Sequence, residues 1–293
     1  MFSYLTFHPV VTSNLCYIND LPNQVSSTVR LFADDCLLYR NINTTHDAET
    51  LQEDIDKLQT WEADWLMEFN PDKCEIIRIT NRRKKKIVTN YSIHEHQLKE
   101  VKGAKYLGVT IDRTLSWNEH INNVTKKANN TRAFLQRNIN RCPEAIKTLC
   151  YQTFVRPIVE YASTVWDPST EKNIKSVENV QRQAARFVKS DYRRRSSVTT
   201  MLESLNWVSL ASRRAEAKLV MLYRITNNLV DVTTSALTAA PTRTRGNTHR
   251  YFQPFTRIEA YKYSFFPSII KSWNKCTQQS LNSFRRLLQS MPT

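Results

Sequence analysis

Glycine is nearly absent from this chain, and that scarcity limits what the chain can build. Only three of its 293 residues are glycine: Gly103, Gly108 and Gly246. Phosphate-binding loops of the P-loop and dinucleotide-binding types need several glycines in one short segment, because the backbone there turns tightly around the phosphates. Both loop types are therefore excluded. The chain is still long enough for one large domain or two modest domains with a buried core.

The chain is strongly basic. It carries 42 Lys and Arg residues against 27 Asp and Glu residues, a formal net charge of +15. Hydrophobic residues make up 41% of the chain, which is ordinary for a globular protein. A positive excess of this size favours a polyanionic partner, of which nucleic acid is the commonest. A protein that is merely basic is the alternative.

The cysteines and the hydrophobic segments bear on the cellular compartment. The six cysteines form no C-x-x-C pair, so we expect reduced thiols and neither a zinc knuckle nor a disulfide framework. No apolar run approaches the roughly 18–20 residues that span a bilayer, and the first twenty residues do not resemble a signal peptide. We therefore expect an intracellular protein, nuclear or cytoplasmic, that is not secreted and has no membrane partner.

An acidic pair interrupts an apolar segment near the start of the chain. Residues 29–40 predict a tight hairpin whose strands meet at Asp34 and Asp35. Two neighbouring carboxylates in such a segment are costly to bury unless a cation or hydrogen-bond donors compensate them. The alternative is a surface turn that uses Asp because Asp tolerates left-handed backbone conformations.

The segments after this hairpin alternate between helix and strand. Thr44 or Thr45 can cap a helix that buries Leu51, Ile55, Leu58, Trp61 and Trp65. Residues 74–93 predict a second hairpin, whose tip is the basic run RRKKK at 82–86. That run suits phosphate contact, a nuclear-import patch or a solvated loop. Residues 105–112 predict one further strand.

Helices dominate from residue 113 onward. The first is expected to bury Ile121, Val124, Ala128, Phe134 and Leu135. Pro143 begins a second helix, which carries Ile146, Leu149, Cys150, Thr153 and Phe154, and Pro157 bends or ends it. A third is expected to bury Ile174, Val177, Val180, Ala184, Phe187 and Val188. A flexible linker at 231–250 and a short aromatic segment at 251–293 complete the chain.

Six motifs in this order resemble one protein family. They are YINDLP (17–22), FADD (32–35), FNPDKCEII (69–77), KYLGVTID (105–112), VRPIVEYASTVWDP (155–168) and VENVQRQAARF (177–187). Together they are similar to the C-terminal half of the reverse transcriptases of non-long-terminal-repeat retrotransposons, of the LINE type and Jockey-like. The closing SFFPSIIKSWN (264–274) is similar as well. The resemblance covers residues from about 17 to 275.

The resemblance implies a fold and an activity. The fold is α+β, with part of a polymerase palm sheet, made of hairpins and one helix, at residues 1–112. A mostly α-helical thumb and post-thumb region follows at 113–230, before the linker and the C-terminal segment. The activity of the intact family is RNA-directed DNA synthesis by two-metal nucleotidyl transfer.

The family also assigns chemistry to particular residues. Asp34 and Asp35 match its catalytic carboxylates, which bind Mg²⁺ or Mn²⁺ together with a third aspartate from a neighbouring strand. Lys73 matches a catalytic lysine near the triphosphate, although a solvated lysine after a helix is the alternative. Tyr106, Leu107 and Gly108 match the segment that grips the primer end, where Gly108 could instead mark a bulge.

The helical half is expected to contact the template and primer. The resemblance implies an RNA template and a DNA primer, or an RNA–DNA duplex, as partners. The phosphate-binding candidates are Arg182, Arg186, Lys189, Arg193 and Arg194. A solvated charged face is the alternative for all five. We interpret Trp117 as a packing residue and His120 as a helix-start histidine rather than a ligand.

Two departures from the family pattern bear on activity. Before Asp34 the only aspartate is Asp20, and no glycine-containing segment precedes it. We therefore expect a truncated polymerase that is inactive by itself, and whose partner could be the N-terminal half of the enzyme. Its remaining sheet is expected to expose an edge and part of an apolar face. The alternatives are a non-catalytic nucleic-acid-binding protein and a remnant without a selected function.

Overall fold

The computed structural model describes residues 2–7, 18–33, 35–66, 69–80, 87–232, 236–241, 249–276 and 283. The chain forms two compact units, Met1–Glu119 and His120–Thr293. Within the described ranges, the strands belong to the first unit, and helices make up most of the second. This mixture confirms the predicted α+β class. No described helix is both long and apolar enough to cross a membrane.

The first unit contains a five-stranded sheet and one long helix. Its elements are β1 (Phe2–Phe7), a 3-10 helix (Ile18–Asn23), β2 (Thr28–Phe32), β3 (Asp35–Asn41), α1 (Thr45–Trp65), a 3-10 helix (Pro71–Lys73), β4 (Glu75–Ile79), β5 (Ser92–Ile93), β6 (His96–Gln97), β7 (Lys99–Glu100), β8 (Gly103–Tyr106) and β9 (Val109–Asp112). The main sheet has the strand order β2-β3-β1-β4-β7, whereas β5–β6 and β8–β9 form separate hairpins.

Strand β1 occupies the middle of the main sheet, a position that the sequence analysis did not anticipate. It pairs antiparallel with β3 on one side and with β4 on the other. Leu5, for example, lies opposite Leu38 on β3 and opposite Ile76 on β4. The sheet is therefore continuous between β3 and β4, and its edges are β2 and β7.

The predicted hairpin at 74–93 is wrong. Strand β4 pairs with β1 and, in parallel, with β7, and residues 87–91 contain no strand. The basic run at 82–86 lies outside the described residues. Arg78 on β4 instead binds the 89–91 segment through its side chain, donating to the Thr89 carbonyl and lying over the Tyr91 ring. Because the strand has buried residues on both faces, its residue pattern does not identify its partners.

Helix α1 covers one face of the sheet and begins as predicted. Thr44 is the N-cap, and its hydroxyl and the Asp47 carboxylate complete a capping box. The predicted inward residues Leu51, Ile55 and Leu58 are buried, as is Trp61, in a core that β2, β3 and β4 also line. Trp65 is more exposed than predicted, since the helix ends there and Leu66 turns left-handed.

The second unit is a bundle of helices. They are α2 (Asn118–Ile139), α3 (Glu144–Cys150), a π-helical turn (Tyr151–Val155), α4 (Arg156–Glu160), α5 (Ser163–Trp166), α6 (Glu171–Lys189), α7 (Val198–Ser204), α8 (Leu210–Thr226), α9 (Glu259–Lys262) and α10 (Phe265–Trp273). Helix α6 buries the predicted residues Val177, Val180, Ala184, Phe187 and Val188. On α2, Ile121, Ala128 and Leu135 are buried, but Phe134 is exposed.

The helical run from α3 to α4 turns an unexpected face inward. Ile146, Leu149 and Phe154, the apolar residues noted in the sequence, are exposed, and Lys147 and Tyr151 are buried. Lys147 donates to the Ser190 hydroxyl at 2.7 Å and its ammonium lies 5.4 Å from the centre of the Phe187 ring. The run continues past Pro157 to Glu160, because a π-helical turn precedes the proline.

One carboxylate pairs with two buried cations between α5 and α8. Asp167 accepts a hydrogen bond from Arg214 at 2.9 Å and lies 2.7 Å from the Lys218 ammonium. The side chain of Arg214 is 2% exposed and that of Lys218 is 6% exposed. Lys218 also donates to the Ser268 hydroxyl on α10. These contacts connect α8 both to the end of α5 and to α10.

His120 lies inside this unit, near the start of α2, as the sequence interpretation stated. Its ring packs edge-on against the buried Trp166, with 5.2 Å between the ring centres. Burial lowers the pKa of His120, so the imidazole stays neutral at physiological pH. The contact is that of a packing residue.

Part of the predicted linker is ordered by main-chain hydrogen bonds. Ala239 pairs with Tyr251, and the Phe252 amide donates to the Thr238 carbonyl. Residues 233–235 and 242–248 lie outside the described residues. Beyond the linker, α10 packs against α8 through Ile269 and Trp273. The described part of the C-terminal segment is thus attached to the second unit.

Candidate active site and nucleic-acid interface

The acidic hairpin forms as predicted, but its turn is shifted by one residue. Phe32 on β2 pairs with Asp35 on β3, so Asp35 belongs to a strand and not to the turn. Ala33 has a left-handed φ of 50°. Asp35 is the first residue of β3 and is half-buried. Asp34 lies outside the described residues.

The strands beside β3 offer no further carboxylate. Its two neighbours are β1 (FSYLTF) and β2 (TVRLF), and neither contains Asp or Glu. Among the described residues, no three or more His, Cys, Asp or Glu side chains are grouped so that they could hold a metal ion. Mg²⁺ prefers several oxygen ligands, and the described part of this hairpin supplies Asp35.

The segment predicted as one strand at 105–112 is a hairpin. Strands β8 and β9 pair antiparallel, with Tyr106 opposite Val109. The two turn residues, Leu107 and Gly108, both have positive φ values, 45° and 79°. Positive φ at both positions is typical of the two-residue turns that connect twisted antiparallel strands. Reading Gly108 as a turn residue would have found this hairpin in the sequence.

The turn between β8 and β9 lies within electrostatic range of the acidic hairpin. The pKa of Tyr106 is raised, chiefly by burial and further by the negative charge of Asp35. Arg30 on β2 acts in the opposite direction on the same hydroxyl. The charge of Asp35 therefore acts on Tyr106, although the two residues come from motifs about seventy residues apart in the sequence.

Lys73 lies in a short turn just before β4. It ends the 3-10 helix Pro71–Lys73, which Asn70 caps by accepting from the Asp72 amide, and its side chain is exposed. The next residue, Cys74, is buried and lies near Cys36. Burial and the proximity of Cys74 raise the pKa of Cys36 to about 12. Cys36 and Cys74, which directly follow Asp35 and Lys73 in the sequence, are therefore near each other.

A buried carboxylate that the sequence analysis missed supports the acidic hairpin. Asp54 on α1 accepts hydrogen bonds from the amides of Ser26 and Ser27, at 3.0 and 2.7 Å, and from the Ser26 hydroxyl. Burial raises the pKa of Asp54, but these hydrogen bonds outweigh it and hold the pKa below its ordinary value. Asp54 therefore fixes the start of β2. In the sequence, Asp54 lies between Leu51 and Leu58 on the apolar face of α1, and this position indicates a buried carboxylate.

The basic candidates of the second unit divide into two groups. Lys189 donates to Glu144 at 2.6 Å, and Arg193 forms a two-point ion pair with Asp191. Arg182 and Arg194 are exposed, and neither has a hydrogen bond or ion pair with another described residue. Only these two of the five candidates have cationic groups without a protein partner in the part of the chain that is described.

Arg186 holds a loop rather than facing solvent. Its guanidinium donates to the carbonyl oxygens of Asp191, Arg193 and Ser196, at 3.2, 3.0 and 3.3 Å. We call residues 191–196 the basic loop. Hydrogen bonds from Arg193 and Ser196 hold the pKa of Asp191 well below its ordinary value. The sequence analysis missed this positioning role, since an arginine on the polar side of a helix gives no signal for it.

The chain matches a known protein family over part of its length. Residues 11–111 match the family described as "Reverse transcriptase (RNA-dependent DNA polymerase)". This match includes the acidic hairpin, Lys73 and most of the β8–β9 hairpin. It ends before the basic loop begins.

The chain is also similar to curated polymerases of mobile genetic elements. A probable RNA-directed DNA polymerase from transposon X-element of Drosophila melanogaster is 26% identical over 182 residues, which are 59% of this chain and 20% of the relative. The RNA-directed DNA polymerase from mobile element jockey of the same species is 23% identical over 186 residues, again 59% and 20%. That from transposon BS is 26% identical over 161 residues, 54% of this chain and 18% of the relative.

The coverage of these relatives is limited. The chain matches about a fifth of the length of each of the relatives named here. The motif order, the acidic hairpin and these similarities agree with one another. The chain is similar to the reverse transcriptases of Jockey-like, non-long-terminal-repeat retrotransposons, and residues 11–111 match the reverse transcriptase family.

Proposed function

We propose that this chain binds an RNA–DNA template–primer and forms part of an RNA-directed DNA polymerase. In this proposal the first unit is part of the palm and the second unit contains the thumb. The observation that carries it is the match of residues 11–111, which include the acidic hairpin and most of the β8–β9 hairpin, to the reverse transcriptase family. A polymerase needs its primer-gripping turn beside its metal-binding carboxylates, because the primer 3′-hydroxyl must reach the metal.

The proposal assigns Asp34 and Asp35 to a divalent metal, Mg²⁺ or Mn²⁺. When bound, the metal would activate the primer hydroxyl and neutralise charge on the triphosphate. Two neighbouring carboxylates supply few of the oxygen ligands that two metal ions need, so the pair alone is a poor two-metal site. Because β1 and β2 contain no carboxylate, the site needs an oxygen ligand from elsewhere. We therefore propose that this chain alone binds nucleic acid without extending it.

The helical unit would bind the phosphates of the duplex. Arg182 and Arg194 are the two exposed candidates without protein partners among the described residues. Arg186 and Asp191 would act as positioning residues that hold the basic loop in one shape. Each phosphate neutralised in B-form DNA contributes roughly −0.9 to the slope of log affinity against log salt, and we expect a similar dependence here.

Reversing both free charges is expected to weaken duplex binding strongly. The double variant Arg182→Glu/Arg194→Glu should bind an RNA–DNA duplex about 10- to 100-fold less tightly, with a salt slope shallower by about 2. The reason is the loss of two phosphate contacts and the addition of two repulsive charges. Fluorescence anisotropy over a range of salt concentrations measures both quantities.

A matched control separates local contact from net charge. Lys172→Glu/Lys175→Glu makes the same change in net charge at the start of α6, and should weaken binding less than threefold. Equal losses in the two double variants would mean that the duplex responds to net charge alone. In that case the proposed phosphate contacts of Arg182 and Arg194 are wrong.

Polymerase activity is expected to be absent from the chain alone. A primer annealed to an RNA template should bind but not be extended in Mg²⁺ or Mn²⁺, since the carboxylate pair lacks a third ligand on β1 or β2. Gel analysis of a labelled primer measures extension, with Asp34→Asn as the control for a contaminating polymerase. Extension by the wild-type chain that Asp34→Asn abolishes would contradict the prediction and show a complete site.

A further inference from the structure

Exposed aromatic rings are concentrated in one segment of the second unit. Phe252, Phe255, Tyr261 and Tyr263 are all exposed within twelve residues, and Phe255 is 84% exposed. We call residues 252–263 the aromatic strip. Single exposed apolar residues are common on protein surfaces, but several large rings in one short segment are typical of a binding site. The proposed duplex contacts do not involve this strip.

Cations accompany the rings. The Arg257 guanidinium lies 5.8 Å from the centre of the Phe255 ring, and the Lys262 ammonium lies 5.2 Å from the centre of the Tyr263 ring. Glu259 is the one carboxylate in the strip. The strip therefore combines flat apolar surfaces with a positive net charge. A polyanion that also carries flat rings is complementary to it.

The strip is fixed to the core of the unit at its start. The amide of Tyr251 donates to the Asn274 side chain, which donates back to the Tyr251 carbonyl, at 3.1 and 2.8 Å. The side-chain amide of Gln253 donates to the Pro267 carbonyl at 2.8 Å. Helix α10, which carries Pro267, packs against α8 through Trp273. The exposed rings are therefore carried by a segment that is attached to the second unit.

These features distinguish single-stranded from double-stranded ligands. The bases of a single strand can stack on exposed aromatic side chains, while cations pair with its phosphates. The paired bases of a duplex are already stacked and cannot reach the rings. A membrane surface would also attract rings and cations, but interfacial segments are amphipathic helices, and residues 252–256 are not helical.

We propose that the aromatic strip is a stacking platform for single-stranded nucleic acid. Phe255 and Tyr261 would stack on bases, and Arg257 and Lys262 would contact the phosphates. Stacking does not depend on base identity, so the platform would bind RNA and DNA of many sequences. This site is separate from the proposed duplex contacts of Arg182 and Arg194, and it does not require polymerase activity.

Removing two rings is expected to weaken single-strand binding. Phe255→Ala/Tyr261→Ala in the full chain should bind labelled oligo(dT) and oligo(U) about 10- to 100-fold less tightly than wild type, and an RNA–DNA duplex within twofold of wild type. Phe255→Trp should retain binding and Phe255→Leu should weaken it, since leucine is apolar but cannot stack. Fluorescence anisotropy measures all of these affinities.

Control variants identify the outcomes that overturn the proposal. Leu149→Ala/Phe154→Ala removes equally exposed apolar groups from the α3–α4 run and should leave oligonucleotide binding unchanged. Unchanged binding by Phe255→Ala/Tyr261→Ala, or full binding by Phe255→Leu, would show that no stacking occurs. A loss of binding to phosphatidylserine vesicles, with oligonucleotide binding intact, would assign the strip to a membrane. Arg182→Glu/Arg194→Glu tests the duplex contacts independently, so the two proposals can fail separately.

Discussion

Replacing Asp167 with alanine is expected to destabilise the helical unit by about 3–5 kcal/mol. The variant leaves Arg214 and Lys218 buried between α5, α8 and α10 without the carboxylate that pairs with both. Removing one partner of a buried ion pair leaves an uncompensated charge, which costs far more than a lost surface contact. Urea unfolding followed by circular dichroism measures the free energy of unfolding.

Two comparisons test the reason for this effect. Glu171→Ala removes an exposed carboxylate that pairs with Lys175, and should change the stability by at most about 0.5 kcal/mol. Asp167→Ala/Arg214→Met/Lys218→Met removes the buried cations as well, and should recover part of the lost stability. A single variant Asp167→Ala within about 1 kcal/mol of wild type would show that the cluster does not depend on this carboxylate.

Proline at Leu5 is expected to disrupt the sheet of the first unit, because it removes a hydrogen bond from a strand that has neighbours on both sides. Strand β1 pairs on both sides, and Leu5 lies opposite Leu38 and Ile76. Proline has no amide hydrogen and is excluded from strands with two neighbours. Hydrogen exchange of β3 and β4 amides, and limited proteolysis of the first unit, should both accelerate.

The edge strand supplies the control. Thr28 is the first residue of β2, which pairs only with β3, and proline is tolerated at such positions. Thr28→Pro should therefore cost clearly less than Leu5→Pro. If Leu5→Pro had no effect on exchange or proteolysis, β1 would not pair as described, and β3 and β4 would need another neighbour.

Features that depend on neighbouring residues in the sequence were predicted well. The Thr44 cap, the inward residues of α1 and α6 and the existence of the acidic hairpin follow from periodicity and capping chemistry. The Leu107-Gly108 turn also has a signal in the sequence, which is the glycine. The sequence analysis predicts a single strand there, because a glycine in an apolar segment is also compatible with a strand or a bulge.

Features that depend on distant contacts were not predicted. Nothing in the β4 sequence shows that β1 and β7 are its partners. The α3–α4 run exposes Phe154 and buries Lys147, because Ser190 and Phe187 on a later segment supply partners for the ammonium. The proximity of Asp35 and Tyr106 likewise arises from packing. The motifs assigned both residues to one site only through the family resemblance.

The role of Arg186 means that arginines of the same segment differ in how they tolerate substitution. A guanidinium that spans three carbonyl oxygens is constrained by its planar shape, and the compact ammonium of lysine cannot reproduce that fork. At Arg182 and Arg194, by contrast, lysine would preserve the charge that attracts a phosphate. Arginine-to-lysine exchange is therefore conservative at the two exposed positions and disruptive at the third.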